Sequence, residues 1–223
     1  MRDFHKKSEN YPSREKKFLS NNRNNSMLSN TNSTRNKQSN ASIRNKGNNS
    51  NTKAVVGNWI GAVGTIISAI SSTPSTVFTE QTLEDFNLIG NTLQAVGSAI
   101  VAETEDTLIN EVGGQIAAVG NLASIAGILS KNEQLNQRLE KQGELLQLVG
   151  VGITVETQGN LTLIETIANT GVIIQVIGIA IGVLVVSETS EGKVIGAVGA
   201  WIEAVGAVIT ALAIDKMNVE DRS

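Results

Sequence analysis

GNWIGAVGTI, Gly57 to Ile66, returns near the other end of the chain as GAWIEAVGAVI, Gly199 to Ile209. The two are the first and last of six copies of one phrase, Gly-x-x-[Ile/Leu]-x-[Ala/Leu/Val]-[Val/Ile]-Gly. In order the copies read GNWIGAVG, GNTLQAVG, GGQIAAVG, GELLQLVG, GVIIQVIG and GAWIEAVG. Each is framed by glycines seven residues apart: Gly57 and Gly64, Gly90 and Gly97, Gly113 and Gly120, Gly143 and Gly150, Gly171 and Gly178, Gly199 and Gly206. The interval from one copy to the next holds one helix of four or five turns and a short connection. Its length varies from copy to copy, which argues against a solenoid of fixed period.

Seven residues of helix turn through about 700°, which returns the second glycine to within about 20° of the first. The frame therefore predicts a helix with both glycines on one face. Around that wheel the Ile/Leu, Val and Ala positions form an apolar arc of roughly 200°, wider than a lone surface helix needs. The second and fifth positions, Asn58, Asn91, Gln94, Glu144, Gln147, Gln175 and Glu203 among them, gather on the other side. Glycine costs about 1 kcal/mol relative to alanine inside a helix, so twelve regular glycines need a compensating reason. Close approach of two backbones supplies one. The plainer reading, that these glycines mark frayed helix ends, fits poorly with their place amid apolar residues. Trp59 and Trp201 read as packing anchors of the terminal repeats.

The punctuation agrees with an all-α chain, an array or bundle of about six helices. SSTPS, Ser71 to Ser75, ends the first segment. Ser130 with Glu133, and Thr162 with Glu165, have capping-box spacing. KNEQLNQRLEKQGELLQLVG, Lys131 to Gly150, is the clearest amphipathic stretch, with Leu135, Leu139, Leu145, Leu146 and Val149 on its apolar side. A buried strand pair is the competing reading for the β-branched run Gly171 to Val186.

Charge divides the chain near Lys53. Residues 1–53 hold twelve Lys or Arg against three Asp or Glu, a net of +9, with thirteen Asn. Such a segment cannot bury enough apolar surface to offset its chain entropy and is expected to be a disordered basic tail. The rest carries six basic and eighteen acidic residues, a net of −12. The domain expectation is thus a tail over 1–53, a helical repeat domain over 54–214 and a short polar tail over 215–223. The first thirty residues lack the apolar run of a secretory signal.

No catalytic constellation emerges, and the expectation is a protein that is not an enzyme and takes no cofactor. Cysteine is absent, and the single histidine, His5, lies in the tail, so thiolate and imidazole chemistry have no carrier in the repeats. Glu103, Glu105 and Asp106 form the densest acidic cluster, read as a solvated loop with Asp106 or Thr107 capping the next helix. Glu203 interrupts an apolar run and invites an intramembrane role. Its repeat position holds Gln94, Gln147 and Gln175 elsewhere, so it also reads as an ordinary member of the polar stripe.

GNWIGAVGTIISAISSTPS, then GNTLQAVGSAI and GAWIEAVGAVI, together resemble a family of repetitive, uncharacterised proteins of spore-forming Gram-positive bacteria that repeat a phrase like G-x-W-I-Q-A-I-G. The resemblance covers residues 54–214. It implies a bacterial origin and a helical repeat, and it supplies no activity and no site residue. Copies four and five depart from the pattern, with Leu148 and Val176 in place of the small residue.

Two function classes follow. One is a soluble, cytoplasmic structural or interaction protein, in a spore setting if the resemblance holds, that buries its apolar arcs internally or against copies of itself as a homo-oligomer. The alternative is a membrane protein, with Ile167 to Val186, Val194 to Ile214 and Ala54 to Ile70 as spans and the tail left in the cytoplasm. Nucleic acid is a weaker candidate partner for the dilute basic tail, and no small-molecule substrate is indicated.

Overall fold

The computed structural model describes residues 49–157, 159–185 and 189–220. Among them are six α-helices and no strand. They are α1 (Asn49–Ser72), α2 (Glu80–Ala102), α3 (Leu108–Ile128), α4 (Glu133–Ile153), α5 (Leu163–Leu184) and α6 (Ser190–Glu220). One repeat lies in each. The β-branched run beginning at Gly171 is helical throughout α5.

The expectation for the basic tail falls mainly on residues 1–48, outside the described residues. Residues 49–53 of that expected tail belong to α1, where the Lys53 ammonium reaches Glu103 at 3.2 Å. At the other end α6 does not stop at Ile214 but continues to Glu220. DKMNVE contains no glycine or proline to end it, and Asn218 is buried.

Helix starts are written in the local sequence. Thr79, Thr107 and Asn132 each accept a backbone N–H from three residues on. Asn132 therefore caps α4 in place of Ser130, because Glu133 is already the first helical residue. Thr162 and Glu165 form the expected capping box: Thr162 Oγ1 accepts from Glu165 N at 3.2 Å, and Glu165 Oε2 accepts from Thr162 N at 2.7 Å. Thr162→Ala should lower stability by about 1 kcal/mol. A thermal or denaturant unfolding curve checks it.

The framing glycines organise the tertiary structure. Gly57 faces Gly97 and Gly64 faces Gly90; Gly113 faces Gly150 and Gly120 faces Gly143; Gly171 faces Gly206 and Gly178 faces Gly199. At all twelve, a Cβ would fall between 2.5 and 3.0 Å from the carbonyl oxygen of the facing glycine. The chain thus forms three antiparallel hairpins, α1/α2, α3/α4 and α5/α6, each joined backbone to backbone by two reciprocal glycine pairs. Looser seams connect them. Gly114 meets Ala102 between α2 and α3, and Lys141 Nζ donates to Gly182 O at 3.1 Å between α4 and α5. Ala62 of α1 clusters with Ala207 and Ala211 of α6, and Trp59 packs on that cluster. These seams close the three hairpins into a ring.

The helical wheel explains the ring. Counted around the helix from the framing glycines, the sixth repeat position, small in four copies, lies about 140° away. A helix in a ring of six needs contact faces about 120° apart, which the glycines and the sixth position provide. The fifth and second positions fall in the arc between these two faces, and they point inward. The Ile/Leu and Val positions fall in the wider arc on the opposite side, and they point outward.

Of the two routes expected for burying the apolar arc, within the chain or against copies of it, the structure does not follow the first: the arc points outward. Of thirteen buried hydrophobic residues among those described, twelve are alanine and the other is Ile179. The buried polar residues are Thr65, Asn91, Gln94, Asn121, Ser124, Gln147, Thr210 and Asn218. Leu135, Leu145 and Val149, placed on the apolar side of the amphipathic stretch, are all exposed, as are Val63, Val119, Ile177 and Val205 on other helices. Alanine and glycine win the seams because the close glycine approach leaves no room for larger side chains.

Candidate functional site

The inward positions of the six repeats line a polar lumen. At its middle stand the six residues of the fifth position, Gly61, Gln94, Ala117, Gln147, Gln175 and Glu203. Two cavities, of about 390 and 580 Å³, extend from this level toward opposite ends of the ring, and Gln94, Gln147 and Glu203 border both. Adjacent helices run in opposite directions, so the second repeat position alternates between them. Asn58, Gly114 and Val172 of α1, α3 and α5 line the first cavity, and Asn91, Glu144 and Ala200 of α2, α4 and α6 line the second.

Two hairpins carry the same hydrogen bond, and the third has the same residue types in place. Gln94 Nε2 donates to Ser68 Oγ at 2.9 Å, and Gln175 Nε2 donates to Thr210 Oγ1 at 3.1 Å. Thr210 in turn donates to Gly206 O at 3.1 Å. In the middle hairpin Ser124 faces Gly143, as Ser68 faces Gly90 and Thr210 faces Gly171. Each glutamine is thus on one helix of its hairpin and a hydroxyl on the other.

This symmetry changes the reading of Glu203. In sequence it aligns with Gln94, Gln147 and Gln175. In the hairpins it takes the place held by Gly61 against Gly97 and by Ala117 against Gly150, and its backbone N is close to Gly178 in the same way. Two hairpins put a small residue there, and the third puts a carboxylate into the lumen.

The lumen is acidic. Glu105, Glu156, Glu165 and Glu203 line the first cavity with no Lys or Arg among its described walls. Glu80, Glu140, Glu144 and Glu203 line the second, with Lys193 as its one basic residue. Glu156 is fixed in place because Asn169 Oδ1 accepts from its N–H at 2.8 Å while Asn169 Nδ2 donates to its carbonyl at 2.9 Å. Glu105, in the loop before α3, has its carboxyl pushed above the usual range chiefly by burial. Asp106 and Glu156 add to the shift, and a hydrogen bond from Asn110 opposes it.

A raised carboxyl pKa means that the folded state holds its proton more tightly than the unfolded state. The group favours folding below its unfolded pKa, and that contribution is lost as pH rises through the folded value. Glu105→Gln is therefore expected to stabilise the fold at neutral pH and to have little effect in acid below the ordinary carboxylate range. Unfolding midpoints at the two pH values check this.

The singled-out residues fall into distinct places. The twelve framing glycines form the hairpin seams. Trp59 closes α1 on α6, and Trp201 Nε1 donates to Thr73 Oγ1 at 3.0 Å, tying the same two segments by a separate contact. Glu103 pairs with Lys53 at 3.2 Å, Glu105 turns to the first cavity, and Thr107 caps α3. Among the described residues no three His, Cys, Asp or Glu side chains gather as a metal site. The glutamine ring was visible in the repeat alignment, but Asn121, Thr65 and Ser98 in the lumen wall carry no repeat signal. Only the helix direction and a spacing of four from the fifth position bring them inward.

Comparison with known proteins adds family membership without an activity. No curated protein and no solved structure matches the chain. Residues 52–211, most of the chain and all six repeats within it, match the family of unknown function DUF6944, and the chain belongs to that family.

Proposed function

We propose that residues 49–220 form a membrane-embedded helical barrel whose aliphatic outer face meets lipid and whose polar residues face a water-filled lumen. The carrying observation is the inverted distribution of side chains: large aliphatics outside on every helix, and alanine, glycine and polar amides within. In water each half-exposed Leu, Ile or Val forgoes about 1 kcal/mol of burial free energy, and the loss recurs around the whole ring. In lipid the same surface is matched. Small residues between helices and polar groups toward a lumen are the usual packing rules inside a bilayer.

Length and charge support this reading. α1, α5 and α6 are each long and apolar enough to cross a membrane. Uncharged runs cover residues 54–79, 86–102, 112–130 and 166–187, and within 194–214 Glu203 is the one charge. Seventeen helical residues rise about 25 Å and twenty about 30 Å, close to the hydrocarbon thickness. Part of the polarity of the middle helices, which argues against insertion in the linear sequence, belongs to lumen residues such as Asn91, Gln94, Asn121 and Gln147. Glu140 and Glu144 of α4 also turn to the lumen. With the basic residues 1–48 kept on the cytoplasmic side, the orientation follows the positive-inside rule.

A second reading, a soluble assembly of copies covering one another's aliphatic faces, is favoured by α4, whose Gln134, Gln137 and Arg138 are exposed on the outside. Fractionation of cells expressing the full chain decides between them. The membrane reading expects the protein in the membrane pellet, resistant to alkaline carbonate and released by detergent. Recovery in the soluble fraction as a defined oligomer would support the assembly instead. Neither reading assigns a catalytic step to the chain.

A further inference from the structure

We infer that the lumen is a path for small monovalent cations, with Glu203 as its selectivity residue. The inference rests on the membrane reading and goes beyond it, because a barrel could equally enclose a sealed polar core.

Three observations bear on what the lumen holds. The first is charge: among the described residues seven acidic side chains line the two cavities and one basic side chain, Lys193, opposes them. They lie along the whole path, with Glu105, Glu156 and Glu165 toward one end, Glu80, Glu140 and Glu144 toward the other, and Glu203 between. Low-dielectric walls focus such a field along the axis, attract cations and repel anions. Rings of carboxylates are a recurrent source of cation selectivity in pores.

The second observation is independent of charge. Asn121 lines the first cavity and is 2% exposed, and its Oδ1 has no hydrogen-bond partner within the chain. Its Nδ2 is occupied, donating to Ala117 O at 3.1 Å. A buried amide oxygen left dry is costly, so this oxygen calls for water or a cation in the lumen.

The third is the position of Glu203. The two cavities share Gln94, Gln147 and Glu203 as walls, so an ion crossing from one to the other passes this level. Its neighbours there are neutral amides that offer carbonyl oxygens, and Glu203 is the one ionisable side chain among them. The corresponding places in the other hairpins hold Gly61 and Ala117, so the fold has no requirement for a large residue at this point. Glu203→Ala and Glu203→Gln should both fold.

The test uses the full chain reconstituted into phosphatidylcholine vesicles, with density flotation and carbonate resistance scored first. Potassium chloride gradients across the same membranes then give the reversal potential. The expected result is insertion together with a potassium preference over chloride on the order of tenfold or more. Glu203→Gln and Glu203→Ala should reduce that preference severalfold with unchanged flotation, and Asn121→Leu should reduce the flux itself. Insertion without flux, or with a selectivity that the Glu203 variants leave unmoved, overturns the cation path and leaves the membrane reading standing. Failure to insert overturns both, and the flotation step shows it before any flux is measured.

Discussion

Alanine at Gly150 should destabilise the protein by about 1–3 kcal/mol, while alanine at Gly182 should stabilise it by up to about 1 kcal/mol. Alanine is the better helix former in both cases, so intrinsic propensity favours both substitutions. What separates them is the room beside each glycine. A Cβ at Gly150 would lie 2.6 Å from Gly113 O and 2.9 Å from Ala117 Cα, as well as against Ala117 N. All three are backbone atoms, which cannot rotate away as a side chain can. The α3/α4 hairpin would have to open along its length, straining the second pair, Gly120 and Gly143, with it. Around Gly182 nothing lies within 4 Å of the added carbon. Leucine at Gly150 should abolish the hairpin outright. Circular dichroism of the purified variants through a denaturation series checks the signs. A shared sign for the two alanine variants would mean that the frame is not a packing device.

The repeat made much of this legible from sequence. Seven-residue spacing in a helix puts Gly143 and Gly150 on one face, and six such frames predict six helices. The side of the helix that turns into the ring was not legible. Periodicity tells which residues share a face, and it is silent on what covers that face. Gln94, Gln147 and Gln175 form the same stripe whether they point to solvent or to a lumen, and the common case for a soluble chain is solvent. What inverts the choice is the size of the seam residues. A face of glycine and alanine brings backbones together, and the amide beside it is then drawn inside with it. The pairing of Glu203 with Gly61 and Ala117 was also hidden, because linear alignment superposes repeats without regard to hairpin partner. Helix capping followed local rules, as at Thr162 and Glu165, and failed at Ser130, where Asn132 offered a carboxamide directly before the first helical residue.

On the membrane reading, aspartate at Ile177 should expel α5 from the bilayer, whereas aspartate at Gln175, two residues earlier, should leave insertion nearly unchanged. Two residues separate the side chains by about 200° around the helix. Ile177 is half exposed on the outer face, and Gln175 lines the lumen, so one carboxylate would face lipid and the other a polar cavity. An aspartate at the centre of a lipid-facing helix costs about 2.5–3.5 kcal/mol of insertion, roughly a hundredfold in the partition between membrane and water. At Gln175 the loss is confined to the hydrogen bond with Thr210, about 1 kcal/mol. The measurement is the carbonate-resistant fraction of each variant after expression. A soluble assembly predicts different behaviour: aspartate at Ile177 would split copies apart while leaving each one soluble, and sedimentation would show smaller species instead of a lost membrane fraction. The same substitution on two sides of one helix therefore reports directly on the medium that α5 faces.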